Sequence, residues 1–96
     1  MTDIVKIIAK VGDRPAPVEF TGRAAWCLNE LLAAGNTGIT TLQNPAPRMA
    51  HYVFLLRRAG LDIETTHEGH TGPYSGHHGR YRLCTPVEVI SREVKP

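Results

Sequence analysis

The chain has 96 residues, a hydrophobic content of 42% and a formal net charge of +2. These values are typical of one globular domain with a modest core, and they argue against a disordered chain. The small net charge neither requires nor excludes a polyanionic partner, so any electrostatic argument depends on local patches. We expect a cytoplasmic protein, because no apolar run approaches the length of a membrane span and the first residues do not resemble a secretory signal.

The first twenty residues predict a β-hairpin. Residues 3–11 alternate so that one face of a strand carries four apolar side chains, those of Val5, Ile7, Ala9 and Val11. Residues 12–17 are rich in Gly, Asp and Pro, which is typical of a turn. Residues 18–20 predict a short returning strand, and this strand completes a hairpin over residues 3–20.

The next segment predicts a helix over residues 22–34. Thr21 is a suitable N-cap, and Gly35 suits the helix end. An apolar stripe at helical spacing is formed by Ala24, Cys27, Leu28, Leu31 and Leu32. This stripe is expected to face the core.

The residues after this helix predict a short, irregular connection. Ile39 is expected to contribute a stub of strand or a buried plug. Thr40 or Thr41 is then expected to cap a very short second helix that runs through Gln43. The two prolines that follow cannot lie deep inside a helix, so they separate this helix from the next one.

The segment from Asn44 to Gly60 carries the most informative pattern in the chain. Asn44 is a good N-cap, Pro45 suits the first helical position and Gly60 suits the end, which predicts a third helix over residues 45–59. One face of this helix is apolar and carries Met49, Tyr52, Val53, Leu56 and Ala59. The opposite face carries Arg48, His51, Phe54, Arg57 and Arg58. A helix with an apolar back and a front of Arg, His and an exposed aromatic side chain is suited to entering a groove.

Residues 61–85 predict a second β-hairpin, which we call the wing. Its strands are expected over residues 61–68 and 79–85, joined by a loop rich in Gly and His. Inward-facing side chains are expected at Ile63, Tyr81 and Leu83, and cross-strand charge pairs are expected between Asp62 and Glu64 on one strand and Arg80 and Arg82 on the other. Residues 86–96 are expected to form a short tail, in which Val-Glu-Val-Ile is a candidate strand.

In this order, the segments resemble a small winged helix-turn-helix family of bacteria and their prophages. The resemblance is carried by "TGRAAWCLNELLAAG", "NTGIT", "NPAPRMAHYVFLLRRAGLDIET" and "GRYRL", and it covers roughly residues 18–85. It implies an α+β fold, a winged helix-turn-helix with an N-terminal β-hairpin, three helices and a C-terminal β-hairpin wing. We expect one such domain over residues 1–96, made of the hairpin 3–20, the helix-turn-helix 21–60, the wing 61–85 and the tail 86–96.

The resemblance implies that the protein binds double-stranded DNA. The helix 45–59 would lie in the major groove, and the 67–82 part of the wing would follow the backbone. The expected DNA-binding residues are Pro47, Arg48, His51, Arg57, Arg58, His70, His77, His78 and Arg80. A small transcriptional regulator or a prophage accessory protein is the expected role, and a homodimer on a palindromic site would strengthen the weak binding of one monomer.

Simpler interpretations of these residues remain open at this point. Arg57 and Arg58 fit a solvated face almost equally well, because cations are favourable at a helix carboxyl end. Arg80 and Arg82 would, in the simpler case, only pair with acids of the wing. We expect Phe54 to pack against the wing or a second subunit rather than against a base. The alternative function is a winged-helix adaptor that binds proteins without specific DNA binding.

Metal and catalytic sites are not expected. His67, His70, His77, His78 and Cys84 do not have the spacing of a familiar zinc site. Cys27 and Cys84 are instead expected to be reduced core residues. The chain contains no recognisable nucleophile elbow and no phosphate-binding Gly loop before a helix. We therefore expect a protein that is not an enzyme, with no cofactor, no small-molecule ligand and no membrane partner.

Overall fold

Two antiparallel three-stranded sheets and two α-helices make up the part of the chain that the structure describes. The structure is a computed structural model, and it describes residues 3–40, 48–70 and 76–95. The elements, in chain order, are β1 (Asp3–Val11), β2 (Val18–Thr21), α1 (Gly22–Ala34), a 3-10 turn (Gly35–Thr37), β3 (Ile39–Thr40), α2 (Met49–Arg58), β4 (Ile63–His70), β5 (Gly76–Leu83) and β6 (Val87–Lys95). Neither of these α-helices has the length and apolar content that a membrane span requires.

The first sheet has the strand order β2-β1-β6. The predicted hairpin of β1 and β2 is present, with Ile7 opposite Phe20, and the alternation of β1 buries Ile7, Ala9 and Val11. The candidate Val-Glu-Val-Ile strand of the expected tail is present and is longer than predicted: it begins a nine-residue strand, β6, which pairs antiparallel with β1 over nearly its whole length. This sheet therefore contains the two ends of the described chain.

Helix α1 has the predicted bounds and the predicted cap residue. Thr21 has an extended backbone, as an N-cap requires, although its side chain does not accept a capping hydrogen bond. The buried side chains of α1 are those of Ala25, Cys27, Leu28 and Leu31, and Ala24 and Leu32 lie partly buried beside them. This stripe contacts both sheets and α2, so α1 lies at the centre of the core.

The expected three-helix arrangement is wrong for the described residues, which contain two α-helices and six strands in two sheets. Thr40 belongs to β3, where Ile39 pairs with Tyr81 and Thr40 with Arg80. Thr40 is 1% exposed, so the pairing with β5 buries this residue in the second sheet. The remainder of the expected second helix, residues 41–43, lies outside the described residues.

Helix α2 begins at Met49, four residues later than the sequence predicted. Arg48 takes the N-cap position with a non-helical backbone, while Asn44 and Pro45 lie outside the described residues. The predicted apolar face is confirmed: Met49, Val53 and Leu56 are buried, and Tyr52 and Ala59 are partly buried against the core. The helix ends as predicted before Gly60, whose φ of 102° favours glycine.

The wing contains β4 and β5, which form the second sheet together with β3 in the order β3-β5-β4. Its strands are displaced towards the tip relative to the prediction, because Gly69 and His70 belong to β4 and residues 76–78 belong to β5. Ile63 is buried opposite Leu83, and Tyr81 packs against the core, so the inward face was predicted correctly. Cys84, which we expected in the core, is exposed, whereas Cys27 is buried as expected.

Candidate nucleic-acid interface

The exposed face of α2 presents cationic and aromatic side chains to solvent. Arg48, His51, Phe54, Arg57 and Arg58 are all exposed, as the helical spacing predicted. At the amino end, the backbone carbonyl of Arg48 accepts hydrogen bonds from the backbone N–H groups of His51 and Tyr52, at 3.0 and 3.1 Å. The first turn of α2 contains no acidic residue. Arg48, at the electropositive amino end of α2, therefore has no acidic neighbour in that turn.

Three of these side chains form a stripe along α2, which we call the α2 stripe: His51, Phe54 and Arg58. The rings of His51 and Phe54 are stacked, with a centroid distance of 6.3 Å and an interplanar angle of 27°. The guanidinium carbon of Arg58 lies 5.8 Å from the centroid of the Phe54 ring. The ring of Phe54 is thus bracketed by two groups from its own helix, and the residue is 52% exposed.

Arg57 points from α2 to the base of the wing. Its Nη2 atom donates to the backbone carbonyl of Ile63 at 2.6 Å and to the hydroxyl of Thr65 at 2.8 Å. Both acceptors belong to β4. These bonds fasten the carboxyl end of α2 to the wing, so they hold the α2 stripe and β4 in a fixed relation.

Arg80, on β5, is also held by protein groups. Its Nε atom lies 2.7 Å from a carboxylate oxygen of Glu68, and its Nη1 atom donates to the backbone carbonyl of Thr37 at 2.9 Å. The carboxylate of Glu68 raises the pKa of Arg80 above its ordinary value through the hydrogen bond and the opposite charge. The first contact joins the two wing strands, and the second joins the wing to the 3-10 turn after α1.

Arg82 repeats this arrangement one step closer to the wing base. Its Nε atom donates to the carbonyl of Asn36 at 2.9 Å, and its Nη1 atom donates to the hydroxyl of Thr66 at 2.9 Å. Gly38 allows the close approach, because its φ is 73° and a Cβ there would clash with the carbonyl oxygen of Tyr81. The wing base is therefore packed tightly on the connection between α1 and β3.

Three cations of the first sheet and of α1 have partners of their own. Lys6 lies 3.2 Å from Glu19 and 3.6 Å from Glu93, and the bond to Glu19 is the main reason that its pKa is raised. Arg92 donates to the side-chain oxygen of Asn29 at 3.0 Å. The guanidinium of Arg23 lies 4.6 Å from the ring centroid of Trp26. The positive charges of Lys6, Arg92 and Arg23 are therefore balanced or covered locally.

The distribution of acidic and basic residues along the chain also indicates the face of α2 as a candidate site, and this signal is separate from helical periodicity. Residues 31–61 include no Asp or Glu, although the chain has nine acidic residues, and they include three arginines. The connection after α1 and the whole of α2 thus carry uncompensated positive charge. This local excess is larger than the net charge of the whole chain, which explains why total charge was a poor guide.

The structure places the expected DNA-binding residues in three groups. Arg48, His51 and Arg58 lie on the exposed face of α2, whereas Arg57 and Arg80 donate hydrogen bonds to other parts of the protein. His70, His77 and His78 belong to paired strands, with His77 opposite Gly69 and His78 opposite Glu68, while their side chains lie outside the described part. Pro47 also lies outside it. The sequence did not predict a role for the backbone carbonyl groups of Asn36 and Thr37. These carbonyls accept hydrogen bonds from Arg82 and Arg80, which lie more than 40 positions later in the chain, so no local pattern indicates the contacts.

Comparison with known proteins identifies the family. A family model described as a winged helix domain matches residues 17–93 of this chain. No protein of curated function and no solved structure gave a match. The match spans most of the chain and includes α1, α2, the wing and nearly all of β6. The chain therefore belongs to the winged helix domain family.

Proposed function

We propose that the protein is a DNA-binding module in which α2 enters the major groove. The observation that carries this proposal is the exposed face of α2, where Arg48, His51 and Arg58 occur in a segment without acidic residues. In helix-turn-helix proteins the amino-terminal residues of the second helix lie nearest the base edges. Arg48 and His51 occupy that end of α2. Arginine is the side chain best suited to bidentate contact with guanine.

The wing would take a supporting role in this arrangement. Glu64 and Glu68 would repel phosphates if they were unpaired, but Arg82 and Arg80 lie within 3.5 and 2.7 Å of them. The histidines of the distal hairpin, His70, His77 and His78, would then provide the contacts to the DNA backbone. Arg57 would act by holding α2 against β4, and Arg80 would act by joining the wing to the connection after α1.

The biological role that fits best is a small transcriptional regulator or a prophage accessory protein. Phosphate contacts would supply most of the affinity, and a few base contacts would supply the specificity. One copy presents few unpaired cations, so one monomer would bind weakly. Two copies on a palindromic site would bind more tightly, because the second interaction becomes intramolecular.

A protein-binding adaptor is the second candidate, and exposed apolar side chains favour it. Phe54 is 52% exposed, and Ile90 and Val94 on β6 are also exposed. Apolar side chains of this size are typical of protein interfaces when they cluster. Ile90 and Val94 lie on the first sheet, however, whereas Phe54 lies on α2, so the three do not share one secondary-structure element.

The test is retention of mixed genomic DNA fragments by the full chain at low and moderate salt, followed by sequencing of the retained DNA. A sharp sequence motif is the expected result. Retention that is strongly salt-sensitive and without a motif would reduce the function to general DNA binding. Absence of retention at low salt would contradict the proposal and favour the adaptor.

A further inference from the structure

Phe54 is an exposed phenylalanine in the middle of the α2 stripe. Its ring is flanked by His51 one turn before it and by Arg58 one turn after it. Burial of a phenylalanine is strongly favourable, so the half-exposed ring of Phe54 offers apolar area that a partner could cover.

The position of the ring on α2 decides which kind of partner it fits. His51 and Arg58 are seven positions apart, or about 10 Å along the helix, which corresponds to about three base pairs of duplex. Arg48 lies just before this span and Arg58 lies at its carboxyl end, and α2 carries no acidic residue. A partner that offers an apolar group to Phe54 would therefore have to carry that group on an otherwise anionic surface. The major groove of DNA offers one such apolar group, the 5-methyl group of thymine.

We propose that Phe54 recognises a thymine methyl group and so determines part of the sequence specificity. The inference rests on the proposed function, because it requires α2 in the major groove. The ring would bury the methyl group, while Arg48 and His51 would contact base edges nearer the amino end of the helix. The protein would accordingly prefer a thymine at a fixed position in the middle of each half-site.

The test replaces thymine by uracil, one position at a time, in the DNA site recovered from the genomic fragments. Uracil pairs with adenine as thymine does and lacks only the methyl group. We expect one position per half-site at which uracil weakens binding about fourfold, the effect of losing one buried methyl group. In the variant Phe54→Ala that penalty should disappear, and in Phe54→Leu part of it should remain.

Ile90→Ala is the matched control, because Ile90 is an exposed apolar residue (58%) on β6, outside α2. It should keep the full uracil penalty, and thermal melts should show that all the variants remain folded. A motif without a uracil-sensitive thymine, or a penalty that Phe54→Ala leaves unchanged, would overturn the role of Phe54 while DNA binding stands. Retention without any motif would overturn it too, as would tighter binding to single-stranded than to duplex DNA. Absence of all DNA binding would overturn both proposals.

Discussion

Arg48 lies at the electropositive amino end of α2, where a positive side chain is stabilised poorly by the helix itself. We expect Arg48→Ala to weaken binding to a specific site by about 1–3 kcal/mol and to relax the preference at one base pair. The measurement is a titration of the recovered site and of single-base variants of it. Lys10→Ala, which removes an exposed cation from β1, is the control with the same change of charge.

Two other outcomes of the Arg48→Ala titration would change the role of Arg48. If Arg48→Ala weakens binding equally on all sequences, Arg48 contacts a phosphate rather than a base. If it behaves like Lys10→Ala, Arg48 does not belong to the interface.

Cys27 gives a prediction about stability that does not depend on DNA. Its side chain is fully buried in α1, and burial raises the pKa of the thiol to about 12, because the charged form loses its hydration. The thiol of an unfolded chain ionises near pH 8.5. Above that pH the unfolded state binds fewer protons than the folded state, so the free energy of unfolding falls as pH rises.

We expect the parent protein to lose about 2 kcal/mol more stability than Cys27→Ala between pH 8 and pH 10. Urea unfolding at the two pH values measures this difference, and the constant cost of the smaller side chain cancels. Cys84→Ala is the control, because Cys84 is exposed and this variant should follow the parent. Equal losses in the parent and in Cys27→Ala would show that the thiol does not couple to folding.

Helix α2 shows what a sequence can predict at the scale of one element. Its buried and exposed faces followed from spacing alone, because helical periodicity is a local property. Its start did not, because Asn44 and Pro45 are good starting residues, whereas the helix begins at Met49. Capping propensities of about 1 kcal/mol are easily outweighed by the packing of the segment on the core.

Leu56 tests whether α2 is held by that packing. The side chain is 0% exposed, and it belongs to the same core as Leu28 and Leu31 of α1. We expect Leu56→Ala to cost about 2–5 kcal/mol of stability, from lost burial and from the cavity that remains. Chemical denaturation measures the loss, and Leu55→Ala, at a partly buried position, should cost less. An unchanged denaturation midpoint for Leu56→Ala would mean that α2 packs with a different face.

The wing base is the second element whose role can be tested. Arg82 joins β5 to the carbonyl of Asn36 and to Thr66, so it holds the wing on the connection after α1. We expect Arg82→Ala to destabilise the protein by about 1–2 kcal/mol, because partly exposed charged hydrogen bonds contribute less than buried ones. Arg82→Lys should restore little, since an ammonium group lacks the forked geometry. Arg58→Ala, which removes an arginine from the exposed face of α2, should change stability by less than about 0.5 kcal/mol.

At the scale of the whole molecule, the strand pairings that the sequence did not predict involve residues far apart in the chain. Strand β6 pairs with β1, so Val11 lies opposite Val87 and Asp3 opposite Lys95. Thr40 is drawn into a sheet by β5, more than 35 residues later. Local propensity cannot reveal such pairings, because the formation of each strand depends on the strand with which it pairs. The part of the candidate site on α2 was predictable, because it depends on the spacing of residues in one helix. The part on the wing was less predictable, because ion pairs across the strands decide which arginines remain available for DNA.

We expect the affinity of the protein for DNA to depend on pH through the wing histidines. His77 and His78 lie on β5 near the distal end of the hairpin, opposite Gly69 and Glu68. If the wing follows the DNA backbone, nearby phosphates favour the protonated form of histidine, so DNA binding takes up protons and affinity rises as pH falls from about 8 to 6. His77→Gln combined with His78→Gln should flatten this pH profile and lower the salt dependence at pH 6. His67→Gln is the control, because His67 is exposed, lies further from the hairpin tip than His77 and His78 and is not one of the expected contact residues; this variant should retain the profile. A double variant that keeps the profile of the parent would remove the wing histidines from the interface, and DNA binding would then depend on α2 alone.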